Sequence, residues 1–344
     1  MSTSLATADA FQEPDLPLTL HQLIARGPGR VVVLGGSKDP NRKLTILFTA
    51  DGRRCPLLVV KAPTTDRAET SVLQEARVLC DLEATWPTLK GLPRVMSEVE
   101  FDGRRASVMT GLPGIPMSTL YHRWRHTRRR TMVERDFAAV DEWLSSFQLA
   151  TVNGRGRPTM LDGVTLRLAQ RFEDDPSLGG SIGMVEALRN RLSELETFRV
   201  AVHGDLWGGN LLVSGEQVLG VVDWEAATLS GDPLRDLVRF ALTYSLYLDR
   251  HTRPGRKVAG HPGLRAQGWG CGIRYAIEGQ GWYPSLVKTF LRRGLRRLGL
   301  PPAAWRTAAL AGLAEIAVTA DDHAFAHHHM RLLGRLKMAE RGSP

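Results

Sequence analysis

The run His203-Gly204-Asp205-Leu206-Trp207-Gly208-Gly209-Asn210, followed thirteen residues later by Asp223, places one carboxylate and two further oxygen-bearing side chains in a fixed order. A carboxylate standing alone can take a proton from a hydroxyl group. An amide and a second carboxylate can hold a hard cation, which prefers oxygen and usually takes only one or two carboxylates beside phosphate oxygens. Together these are the parts that phosphoryl transfer requires next to the terminal phosphate of a nucleotide. Each part alone also has an ordinary reading, since Asp, Asn and Gly fill turns and an Asp can end a strand. The ordered set carries the argument.

Positioning such a set needs short strands around a tight loop. Residues 198–202 read as a strand entering the loop; 211–213 and 218–222 read as a hairpin turning at Ser214-Gly215-Glu216. Gly204, Gly208 and Gly209 are expected to turn the loop through positive φ. Asp205 is then the base, with Asn210 and Asp223 as ligands of Mg²⁺. Upstream, 30–34, 44–48 and 57–61 read as strands, the third ending at Lys61, with turns at 35–41 and at Asp51-Gly52. Backbone N–H groups at Gly35, Gly36 and Ser37, with Lys38 beside them, can cradle phosphate, although two glycines in a hairpin are commonplace. Residues 69–83 have helical period, with Ser71 and Gln74 spaced as a capping box. Glu75 shares the apolar stripe of Val72 and Leu79, so its carboxylate points inward and needs a partner. Residues 106–109 read as a strand entering Thr110-Gly111-Leu112-Pro113-Gly114.

The His-x-Asp-x-x-x-x-Asn spacing with its later Asp is similar to the catalytic loop and metal-binding Asp of protein kinases. More closely, the chain resembles the aminoglycoside phosphotransferase and choline kinase family. The resemblance lies in His-Gly-Asp-Leu at 203–206, Asn-Leu-Leu at 210–212, Val-Asp-Trp-Glu at 222–225 and Gly231-Asp232-Pro233-Leu234-Arg235-Asp236-Leu237. It implies an α+β, two-lobed protein-kinase-like fold: an N-terminal antiparallel sheet plus one helix, then a larger, mainly helical C-terminal lobe. It also implies ATP, with GTP not excluded, and Mg²⁺ as cofactors. Lys61, paired with Glu75, would contact the α/β-phosphates, and the segment 110–114 would meet the adenine. His203, Asp232 and Asp236 would support the site, Asp232 by capping a helix that starts at Pro233 and Asp236 by bracing the loop. Gly204 stands where many protein kinases have Arg, Trp224-Glu225 replaces Phe-Gly, and no Ala-Pro-Glu follows. A small-molecule kinase is expected rather than a phosphorylation-switched one.

Boundaries are expected after 16, where an N-terminal arm ends, and near 113, between a nucleotide-binding lobe (17–113) and a catalytic and acceptor-binding lobe (114–344). No run is long and apolar enough to span a bilayer, and the start lacks a basic, then apolar, leader. Three scattered cysteines, Cys55, Cys80 and Cys271, suit a reducing compartment, so a cytoplasmic location is expected. The net charge of +9 is concentrated late: residues 251–344 hold 15 Lys+Arg against 5 Asp+Glu, whereas the rest of the chain holds 30 against 31. A basic lobe disfavours a polycationic acceptor and favours a neutral or anionic hydroxyl compound, such as a sugar derivative, within a range that runs to aminoglycoside-like and other natural products. Helices are expected at 286–298, 305–318 and 323–336. Arg292, Arg293, Arg296 and Arg297 read as a solvated face. The segment 121–130, aromatics among arginines, reads as a basic surface; without a recognition motif, no nucleic-acid partner is expected. His323, His327, His328 and His329 read as surface residues, while Asp321 and Asp322 are candidates for helix capping or acceptor contact. The competing class is a catalytically silent kinase fold that binds or scaffolds through its basic lobe.

Overall fold

The computed structural model describes residues 29–35, 41–53 and 55–336. Gly36, Ser37 and Lys38, and the expected arm 1–16, lie outside the described residues. Contacts divide the chain into two units, one comprising 29–77 and 94–111, the other 78–93 and 112–336. Where the sequence suggests one cut near 113, the chain thus crosses between units three times.

In the first unit, alternating apolar residues build a five-stranded antiparallel sheet in the order β1-β2-β3-β5-β4. The strands are β1 (Arg30–Gly35), β2 (Lys43–Thr49), β3 (Leu58–Pro63), β4 (Val95–Phe101) and β5 (Arg104–Thr110). Ile46, Phe48, Val60, Ala62, Val99, Ala106 and Val108 form its buried face. Strand β4 has no counterpart in the sequence reading. Only Val99 in it is fully buried, so its alternation is weak, but the turn Asp102-Gly103, with φ of 49° and 72°, marks the hairpin. The helix Asp66–Thr85 starts earlier than expected: Thr65 Oγ1 accepts from Ala68 N at 3.1 Å, and Asp66 and Glu69 complement the first turn. Ser71 and Gln74 therefore lie inside the helix and are not a capping box.

The second unit is mainly helical. Two small antiparallel sheets carry its strands: β6 (Ile115–Pro116), β9 (Leu211–Ser214) and β10 (Gln217–Val221) in one, β7 (Gly154–Gly156), β8 (Thr197–Val202) and β11 (Thr228–Gly231) in the other. The long helix Arg130–Ala150 packs Phe137 edge-on against Phe240, Tyr244, Tyr283 and Phe290, with ring centroids 5.1–6.1 Å apart. The late helices run Trp282–Arg297, Trp305–Thr319 and His323–Arg335, close to the expected spans. Among the described residues, no helix is long and apolar enough to cross a membrane.

Three surface expectations need correction. Arg297 is not solvated: it donates to Asp141 Oδ1 at 2.8 Å and to Gln148 Oε1 at 3.2 Å. Within 121–130, Tyr121 and His126 are buried, His126 against Asp136 at 2.7 Å, and Trp124 stays exposed. His329 is fully buried and His327 pairs with Asp175 at 2.7 Å. In each case a partner on another element draws the side chain in.

Candidate active site

Strand β8 delivers the chain into the loop, and Gly204 turns it. Gly204 has φ of 81°, and a Cβ there would lie 2.2 Å from the Ala226 carbonyl oxygen, so no side chain fits at this position. Gly208 and Gly209 do not adopt positive φ. They are small for lack of room: a Cβ on Gly208 would meet the Tyr121 ring at 2.5 Å.

His203 is fully buried. Its Nε2–H donates to the Val222 carbonyl at 3.0 Å, which leaves Nδ1 to accept from Asp205 N at 3.2 Å. The backbone N of Val222 donates to the Asn210 carbonyl at 3.0 Å. These bonds bring the start of the loop, Asn210 and the residue before Asp223 together. Asp223 itself sits at φ 70°. That conformation costs a non-glycine residue on the order of 1–3 kcal/mol and persists only where the surroundings enforce it, as functional sites often do. Here the fully buried Trp224 enforces it, with Nε1 donating to Val221 O at 2.8 Å and its ring packed on His203 at 4.7 Å.

One buried carboxylate in the helix Leu234–Leu246 braces this loop, and a second, just before the helix, ties its start to residues 159–160. Asp236 accepts from His203 N and Gly204 N, both at 2.8 Å. Asp232 accepts from Leu234 N at 3.0 Å at the head of the helix, and from Thr159 N at 2.6 Å and Met160 N at 2.9 Å. Burial raises both carboxyls above the usual range, and the backbone donors work against that shift.

Asp205 is half-buried and its two oxygens are used differently. Oδ1 accepts from both Nε and Nη2 of Arg239, each at 2.7 Å. Among the described residues, Oδ2 accepts only a long bond, 3.2 Å, from Asn210 Nδ2, which also donates to the Asp205 carbonyl at 2.9 Å. A carboxylate oxygen has two lone pairs, so Oδ2 retains capacity for a proton. With its amide nitrogen so engaged, Asn210 presents its carbonyl oxygen as the ligand it can offer a cation.

The sequence reading does not single out Arg239 or Glu315. The Arg239 guanidinium also donates to Glu315 Oε2 at 3.1 Å and Thr319 Oγ1 at 3.2 Å, while Arg235 holds Glu315 Oε1 at 2.8 Å. Glu315 is 2% exposed in a helix buried along nearly its whole length. An acid in an all-round apolar helix must have a partner, and that signal is present in the sequence.

In the first unit, Lys61 lies mid-strand in β3, not at its end. Its Nζ stands 2.8 Å from Glu75 Oε1 and 2.6 Å from Oε2, with both side chains buried. Gly35 closes the exposed strand β1. Asp322 caps the last helix, accepting from Phe325 N at 2.8 Å; Asp321 is exposed beside it.

Among the described residues, no group of three or more His, Cys, Asp and Glu could hold a metal on its own. A Mg²⁺ held largely by phosphate oxygens needs no such group, and one amide oxygen plus one carboxylate suits it.

A two-unit α+β fold with an antiparallel sheet followed by a mainly helical part, bearing a braced Asp and Asn loop, defines a phosphotransferase that acts on hydroxyl groups. The chain belongs to the phosphotransferase enzyme family, whose model matches residues 41–270. Solved structures with a similar fold include a thermostable mutant of aminoglycoside phosphotransferase APH(4)-Ia, 15% identical, TM-score 0.52, covering 89% of this chain and 94% of that one. An asparagine-to-alanine form of the same enzyme, in ternary complex with AMP-PNP and hygromycin B, is 15% identical at TM-score 0.52, covering 92% and 98%. The GDP complex of aminoglycoside 2'-phosphotransferase-IIIa is 16% identical at TM-score 0.52, covering 92% and 95%. No curated protein matches the sequence.

Proposed function

We propose that this protein transfers the terminal phosphoryl group of Mg²⁺-bound ATP to a hydroxyl group of a small molecule. The observation that carries the reading is the asymmetry of Asp205: Oδ1 is clamped by Arg239, and Oδ2 is left with capacity beside Asn210. The clamp fixes the carboxylate plane, so Oδ2 accepts the proton of the acceptor hydroxyl. The hydroxyl oxygen forms its bond to the terminal phosphorus as the bond from that phosphorus to the nucleoside diphosphate breaks. Asn210 and Asp223 would hold Mg²⁺, which neutralises phosphate charge. Lys61, oriented by Glu75, would hold the α/β-phosphates. Positioning and charge stabilisation carry most of the rate in this chemistry. Nucleotide complexes of similar folds, one with AMP-PNP and one with GDP, support a nucleotide donor, and competition between ATP and GTP decides between adenine and guanine. A cytoplasmic location fits three cysteines that form no disulfide.

Purified protein should release ADP from ATP in the presence of neutral hydroxylated acceptors, should stop when EDTA removes divalent cations, and should gain thermal stability from Mg-ATP. Absence of both ADP release and Mg-ATP stabilisation would leave the silent-scaffold reading in its place.

A further inference from the structure

The second unit contains a cavity of about 530 Å³ that the catalytic residues do not occupy. That volume is in the range of small-molecule sites, roughly 300–1,000 Å³. Its walls include three half-buried aromatic rings, Tyr247, Trp269 and Phe325, and one residue of each charge, Asp249 and Arg250. The rings are held in place. Trp269 meets Phe325 edge-on at 5.8 Å, and both pack on the buried His329 ring, at 4.6 and 4.4 Å. Asp249 accepts from the Cys271 thiol at 3.0 Å; that thiol, pushed up to about 11 chiefly by burial, remains a neutral donor.

Two connections tie this cavity to the catalytic loop. Gly208 has no side chain because the Tyr121 ring fills that space, and Tyr121 stacks on Tyr247 with centroids 5.8 Å apart and planes 24° apart. In addition, the helix that places Arg239 on Asp205 ends at Leu246, which also lines the cavity. Leu246 lies seven positions beyond Arg239 on this helix, a rise of about 10 Å along its axis.

Resting on the phosphotransferase reading, we infer that this aromatic cavity seats a ring of an uncharged, glycoside-like acceptor whose hydroxyl is presented to Asp205. Aromatic walls suit the apolar face of a sugar or aryl ring, and Asp249 can accept from its hydroxyls. A polycation would need several carboxylates, whereas this wall supplies one, offset by Arg250, in a region with a large excess of Lys and Arg.

The test is equilibrium binding of p-nitrophenyl β-D-glucopyranoside, with kanamycin as the polycationic probe, to the full chain carrying Asp205→Asn, so that the readout does not depend on turnover. The aryl glucoside should bind saturably, more tightly than kanamycin, and with little dependence on salt. Trp269→Ala and Phe325→Ala should each weaken it roughly 3- to 10-fold, while Trp269→Phe should hold it within about 2-fold. Mg-ATP stabilisation of each variant reports that the fold is intact. Failure of the aryl glucoside to bind, tighter binding of kanamycin, or indifference to both Trp269→Ala and Phe325→Ala in folded protein would overturn the inference. Loss of ADP release in the wild-type protein with glucoside binding preserved would instead strike the phosphotransferase reading and leave the cavity assignment standing.

Discussion

Two ion pairs anchor the two units, and they are built to different ends. Lys61–Glu75 in the first unit is closed to solvent: both side chains are buried and Nζ stands within 3 Å of both carboxylate oxygens. Asp205–Arg239 in the second is closed on one side only, with Arg239 at 12% exposure and Asp205 at 31%. A closed pair fixes a strand to a helix and is costly to break from one side. A half-open pair fixes an orientation while leaving an oxygen for chemistry. The same charge chemistry therefore holds a buried cation in position in one place and leaves a carboxylate oxygen open in the other.

Substitutions can break that contrast. The largest stability effect is expected for Glu75→Ala, which removes the carboxylate facing the buried Lys61 ammonium and should cost about 3–5 kcal/mol in urea unfolding. Replacing both partners, Lys61→Met with Glu75→Leu, should recover much of that stability but not nucleotide binding; full recovery of both would show the pair to be structural alone. Next in size, Arg239→Met should leave stability nearer wild type and lower kcat about tenfold, the worth of one charge-assisted contact, with KM for Mg-ATP little changed. If Arg239→Met lowers stability as much as Glu75→Ala while kcat holds, the two pairs do the same job.

The smallest effect separates the units by pH. Burial lowers His261 and His329 from 6.5 to about 4, and both lie in the second unit; the described part of the first contains no histidine. Above pH 6.5 these rings are neutral whether folded or unfolded. As pH falls from 6.5 toward 4 the unfolded chain takes up protons that the folded chain refuses, so stability is lost, on the order of 1 kcal/mol per pH unit for each ring. Urea midpoints measured between pH 7 and 5 should fall, and His329→Phe should flatten the slope. A flat profile in the wild-type protein would contradict the burial argument.

What could be read from the sequence follows from how far apart the partners lie. The hairpin 211–221, the helix after Pro233 and the inward turn of Glu75 rest on local period and turn chemistry, so they were legible. The Arg239–Asp205 contact spans 34 residues and Arg239–Glu315 spans 76, and neither spacing has a periodic signature. The crowding at Gly208 was missed for the same reason, since Tyr121 reaches it from a distant upstream helix. Buried His329 was hidden by its neighbours, because a run of histidines looks solvated until one face of its helix is packed.

The account rests on Asp205 Oδ2 as the proton acceptor. Single-turnover phosphoryl transfer by Asp205→Asn, compared with wild type at saturating Mg-ATP and a working acceptor, tests this most directly. Loss of roughly 10²–10⁴ in rate, with Mg-ATP affinity within a few-fold, is the predicted result. Wild-type rate in Asp205→Asn would contradict it.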